Sequence, residues 1–161
     1  MGLATTMLIV MGLVLLNNQV GNLKATFGET LVLRSSDAQM TGITQVTVYG
    51  IRYPVSGERY SPAPPGYEYA LATVRGCAGQ SGSQYGLDPL TFGVMFPDGQ
   101  SVAGVPDLLR VKQRPLNVGA LTAGQCESGY IAFQIAKGTT PDAVDYAPDG
   151  LDYRYDWSAT P

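Results

Sequence analysis

Apolar and polar residues alternate along most of this chain with a period of two. That spacing turns one face of a β-strand into a core and the other face away from it. The clearest case is TQVTVYGIRYPV at Thr44–Val55, where Val46 and Val48 fall on one side and Thr47, Tyr49, Ile51 and Tyr53 on the other. YEYALATVRGCAG (Tyr67–Gly79) sets Tyr69, Leu71, Thr73, Arg75 and Cys77 against Ala70, Ala72 and Val74. PLTFGVMF (Pro89–Phe96) aligns Leu90, Phe92, Val94 and Phe96, and Ile131, Phe133 and Ile135 share one side of Ile131–Ala136. A strand over Ala25–Leu33 opens the series. Another over Gly150–Ser158 closes it, with Leu151, Tyr153, Tyr155 and Trp157 opposite Asp152, Arg154 and Asp156. Gly104–Thr122 is less regular and is read as one or two short strands. Gly, Pro and Ser punctuate the series at SGERYSPAPPG, QSGSQYG and PDGQ, and no segment shows convincing helical spacing. The expectation is an all-β chain of about seven or eight strands, folded as an antiparallel sandwich or barrel.

The start of the chain breaks this pattern. MGLATTMLIVMGLVLL (Met1–Leu16) carries no charged side chain, and the first basic residue is Lys24. As a helix it would reach about 24 Å, longer than most signal-peptide cores and short of the roughly 20 residues of a bilayer span. It has no polar face at 3.6 spacing, which argues against a helix packed on the domain. No small-x-small cleavage site stands out after it, and no cysteine follows it as in a lipoprotein signal. The expectation is a signal peptide or membrane anchor over residues 1–22 and one domain over 23–161.

Composition narrows the partners. Among 161 residues only 14% are charged, the net charge is −3, and 20 glycines and 11 prolines suit turns rather than a helical bundle. Nothing resembles the basic footprint that nucleic acid or anionic lipid requires. The chain has no histidine, so the commonest general base and zinc ligand are both missing. No GxSxG elbow or phosphate loop is present; GQSGS at Gly79–Ser83 has the wrong spacing.

The two cysteines, Cys77 and Cys126, end one strand and head another. Without a CxxC pair or a histidine partner, a redox or nucleophilic role is poorly supported, and two lone thiols offer too few ligands for a metal. Behind an export signal, the expectation is a Cys77–Cys126 disulfide across the sandwich. Cys126 has the opposite parity to Ile131, Phe133 and Ile135, so a bulge near Ser128–Gly129 would be needed to bring all of them inside; otherwise the bond lies at the rim.

RGCAG at Arg75–Gly79, DPLTF at Asp88–Phe92 and GQCESGYIAFQIA at Gly124–Ala136 resemble motifs of the DUF4352 family. These are secreted actinobacterial domains related in fold to the mycobacterial immunogen MPT63. The likeness runs from about Lys24 to Trp157, with Tyr130 where the family usually has Trp and Ala136 near its usual Val-Pro. It implies an immunoglobulin-like β-sandwich outside the cytoplasm with the two cysteines bonded. It brings no catalytic residue and no ligand.

Two surfaces are candidates for recognition. Tyr60, Pro64 and Pro65 sit in one loop and Tyr85 in another, and tyrosine gives contact area with a polar tip. The tyrosines in clean alternation are read as packing. The acidic tail carries Asp142, Asp145, Asp149, Asp152 and Asp156; Asp145, Asp149 and Asp152 are weak Ca²⁺ candidates. APDG and FPDG equally suit turns, and turns with a solvated strand face are the simpler reading. Altogether the chain reads as a non-catalytic exported module that needs no cofactor. Its partner would be a protein or the cell envelope, with membrane contact through the N-terminal run. An accessory envelope subunit and a carboxylate- or Ca²⁺-dependent hydrolase are the alternatives.

Overall fold

The computed structural model describes residues 21–55, 62–84, 86–105, 115–116 and 119–160. The apolar run Met1–Leu16, Tyr60 and Tyr85 lie outside the described residues.

The first expected strand is two strands. β1 (Gly21–Thr26) and β2 (Thr30–Val32) are separated by a turn at Gly28, whose φ of 93° suits glycine. At that turn the chain changes sheets: the Phe27 amide bonds to Ser158 and the next amide, Gly28, bonds to Val48 in the opposite sheet. A short helix α1 (Ser35–Thr41) follows, capped by Gly42, and was not legible in the alternation. β3 (Ile43–Val55) and β4 (Tyr67–Ala78) then form the long central pair. β5 (Phe92–Met95) and β6 (Ser101–Ala103) make a hairpin over the FPDG turn, where Gly99 bonds back to Phe96. β7 (Cys126–Ala136), β8 (Ala143–Tyr146) and β9 (Tyr153–Ser158) complete the fold.

The strands form two sheets, β1-β9-β8-β5-β6 and β2-β3-β4-β7. β1 runs parallel to β9; the other strand pairs are antiparallel. Between the sheets lie Val46, Val48, Ala72, Val74, Ile131 and Phe133 from one side and Phe92, Val94, Val144, Tyr155 and Trp157 from the other. The Trp157 indole N–H donates to the Glu29 carbonyl at 2.9 Å, so its polar edge is satisfied within the core.

One predicted face is corrected. Ile51 and Tyr53 were expected opposite Val46 and Val48, yet all four pack toward the same core. The register of β3 shifts between Val48 and Gly50, and the extra residue, Tyr49, is exposed. A bulge of one residue inverts parity until the next register shift, which comes between Arg52 and Val55.

Candidate functional site

β4 and β7 pair without interruption from Tyr67 opposite Ala136 to Cys77 opposite Cys126. Since Ala70, Ala72 and Val74 face the core, the odd positions of β4 face outward, and so does Cys77. The two cysteines are bonded, with Cα atoms 4.0 Å apart. The Ala78 amide bonds to the Gln125 carbonyl just beyond them, so they occupy a non-hydrogen-bonded pair, the closer kind. The expected bond across the sandwich is therefore corrected to a bond between neighbours of one sheet, on its outward face. No bulge occurs near Ser128–Gly129. Gly129 serves another purpose: a Cβ there would lie 2.5 Å from the Leu116 backbone nitrogen.

That outward face is apolar further along. Tyr69, Leu71, Tyr130 and Ala132 form a second buried cluster, with Val55 and Ala63 packed against it. Beyond β6, the Val105 amide bonds to Ala132 and the Leu116 amide to Tyr130, both on β7.

The outward face of the other sheet is charged. Asp145 on β8 stands directly opposite Asp156 on β9, and they are 3% and 5% exposed. The acidic strand face is thus buried where a solvated one was expected. Arg154 Nε lies 3.2 Å from Asp145 Oδ2, and the Ser101 hydroxyl reaches Asp145 Oδ1 at 3.5 Å. Asp156 Oδ1 is buried without a hydrogen-bond partner. Burial pushes the Asp145 carboxyl above its ordinary range; Arg154 opposes the rise and Asp156 adds to it. Gly93 makes room for the pair, since a Cβ there would meet Asp145 Oδ1 at 2.3 Å.

The remaining aspartates do not converge on that pair. Asp149 is exposed in the turn that bonds Leu151 to Pro148. Asp152 is exposed, and its amide donates to Asp37 Oδ1 at 3.0 Å. Asp142 is exposed beside Met95. Among the described residues no group of three His, Cys, Asp or Glu is placed to share a metal ion.

Sequence reasoning missed Asp37, which is 1% exposed on α1. Its Oδ2 accepts from the Tyr155 hydroxyl at 2.6 Å, and the Arg34 amide donates to that hydroxyl at 2.9 Å. Burial and the bond to Asp37 push the Tyr155 hydroxyl up to about 12. Asp37 and Tyr155 are 118 residues apart, and no local signal in the sequence links them.

The described parts of the two loops expected to bind, 62–66 and 80–84, lie at opposite ends of β4. Pro64 and Pro65 shape a turn: Tyr67 N donates to Pro64 O at 3.0 Å, and Gly66 has φ 84°, as a type II turn requires. The turn leads into β4, whereas the 80–84 loop follows its far end, about 36 Å away at about 3.3 Å per residue. Each end carries its own recess. One, of about 500 Å³, includes Gln39, Thr41, Ser81, Gln84, Asp88 and Tyr146. The other, of about 830 Å³, includes Phe27, Ile51, Tyr53 and Phe96 together with Lys24 and Asp156.

No family model matches the chain, and no curated protein matches it in sequence. Its fold is shared with solved β-sandwiches. The secreted protein MPT63 of Mycobacterium tuberculosis superposes with a TM-score of 0.63 at 13% identity, covering 85% of this chain and 97% of that one. An uncharacterized β-sandwich protein of Clostridium difficile gives 0.50 at 14% identity, covering 85% and 93%. A proposed lipoprotein of Bacillus subtilis gives 0.50 at 15% identity, covering 73% of this chain and 36% of that one. At these identities the likeness shows the fold: a two-layer β-sandwich of the kind MPT63 has.

Proposed function

We propose that this chain is a non-catalytic binding module working outside the cytoplasm, one of the DUF4352-type secreted domains, held at or released from the envelope by its apolar N-terminal run. The observation that carries the reading is the Cys77–Cys126 bond, partly exposed on an outward sheet face where a reducing cytoplasm would reach it. The segments that resemble the family fall on strands and their ends: RGCAG ends β4, DPLTF leads into β5, and GQCESGYIAFQIA spans β7. The solved relatives include one described as secreted and one as a proposed lipoprotein, which points the same way. The non-catalytic reading draws on what the buried acids do. Asp37 ties α1 to β9 through Tyr155, and Asp145 pairs with Arg154, so each fastens β9 to a neighbouring element.

The test is the intact mass of the protein from its native host, alkylated with and without prior reduction, in separated cell fractions. The expected result is protein from the envelope or medium that takes up alkylating reagent only after reduction. Two thiols alkylated without reductant, or recovery from the cytoplasm alone, would sink the reading.

A further inference from the structure

The Asp145–Asp156 pair is short of donors. A carboxylate accepts at about four lone-pair sites, yet one oxygen of Asp156 meets no donor at all and Asp145 has one guanidinium contact and one long hydroxyl contact. Like charges directly opposite on neighbouring strands repel, and burial strengthens the repulsion. Lys24 stands opposite Asp156 in the β1–β9 register, but among the described residues the ion pair at this site joins Arg154 to Asp145 and none reaches Asp156. Such a site is electrostatically open to one more positive charge.

Its surroundings say what kind of cation fits. Asp156 also lines the recess of about 830 Å³, with Phe27, Ile51, Tyr53 and Phe96 as apolar and aromatic wall and Asp142 among its acids. A hard metal ion takes six to eight oxygens, and the described residues hold no group of three ligating side chains. A cation with a hydrocarbon stem uses both halves: the carboxylate takes the charge, and the rings take the stem and the ammonium edge. We propose that this recess binds a primary alkylammonium group, as carried by a lysine side chain or an aliphatic diamine, with Asp156 as its counterion. This rests on the binding-module reading, and it gives that module a ligand chemistry.

The test is calorimetric titration of the full chain, disulfide intact, with 1,5-diaminopentane, with Nα-acetyl-lysine amide and with uncharged 1,5-pentanediol. The amines are expected to bind and the diol not to. The stronger of the two amines tells whether a free diamine or a peptide lysine is the better source. Asp156→Asn is expected to weaken amine binding tenfold or more. Lys24→Met removes the competing cation and is expected to tighten it severalfold, which keeps the proposal testable if Asp156→Asn does not fold. No binding of either amine, equal binding of the diol, or unchanged affinity in both variants would overturn the site. So would Ca²⁺ binding alone and displacing the amines. None of these outcomes touches the alkylation experiment, which reports location without a ligand.

Discussion

The two sheets turn very different faces outward. On β4 and β7 the outward side chains Tyr69, Leu71, Tyr130 and Ala132 are buried together, with exposed Thr73, Arg75 and Ser128 between them and the disulfide. On β8 and β9 they are Asp145, Arg154 and Asp156, also buried in the case of the acids, but held by a single ion pair. Each patch is buried beside exposed neighbours, such as Thr73 and Arg75 on one face and Lys24 on the other, so exposure does not distinguish them. What differs is how burial is compensated. Apolar groups lose water at a gain, about 25 cal/mol for each Å². Buried carboxylates lose it at a cost, which only well-placed donors offset. One face is therefore a second small core that fixes the fold. The other is an under-compensated site, and it is the more natural place to look for function.

The strongest way to break this contrast is at the disulfide. The two cysteines are 49 positions apart, and closing that loop limits the unfolded chain by about 4 kcal/mol on the entropic argument. The double substitution Cys77→Ser with Cys126→Ser is expected to lower Tm by about 10 °C in calorimetry. Reduction of the wild type should act the same way. A loss of a degree or two would mean that the apolar face holds its strands without the bond.

Leu71 tests the apolar face itself. It is 2% exposed although it points away from the main core. If that cluster is truly a core, Leu71→Ala should cost about 2–3 kcal/mol in urea unfolding, as buried leucines do. A cost under about 0.5 kcal/mol is what a surface position gives, and it would return both outward faces to the same footing.

Much of this arrangement was legible in the chain, and the reasons for the rest are specific. Period-two alternation located β4, β7 and β9 and named Phe133, Tyr155 and Trp157 as inward, because burial on one face is what the pattern records. It failed at Tyr49, where one extra residue reversed parity, and at Gly28, where the chain left one sheet for the other. Cys126 troubled the reading because an inward bond was assumed. Its parity was correct for an outward one. The acid pair was seen only as a run of aspartates. That Asp145 and Asp156 meet depends on the β8–β9 register, which is set by the turn at Pro148–Leu151 and not by either residue's neighbours.

Gly93 sharpens the contrast from the charged side. Its missing Cβ is the space into which Asp145 Oδ1 and Ser101 Oγ lean, at 2.3 and 2.4 Å from where that carbon would be. Gly93→Ala should displace the carboxylate from its neighbours and cost about 1–2 kcal/mol in the same unfolding assay, as overpacking does. Gly99→Ala is the useful control. It also costs stability, through its φ of 81°, but nothing lies within 4 Å of its Cβ, so the charged face stays in place. Only Gly93→Ala should alter the response to acid described next.

The smallest effect is the most diagnostic. Burial raises the Asp145 carboxyl, with Arg154 opposing and Asp156 adding to the shift. A carboxyl raised in the folded state holds its proton more tightly there than in the unfolded chain. Its contribution to stability is thus full below the ordinary carboxylate value of about 3.9 and is lost as pH rises through the raised value. Asparagine does not titrate. Below that ordinary value the wild type and Asp145→Asn should melt at similar temperatures, since a protonated aspartate and an amide carry the same charge. From there toward pH 7 the wild type should lose ground, so that Tm of Asp145→Asn minus Tm of wild type grows more positive, by no more than a few degrees. The opposite slope would show Arg154 over-compensating the pair, and the charged face would then be as settled as the apolar one. A positive slope that shrinks when 1,5-diaminopentane is added would tie the missing charge to the recess beside Asp156.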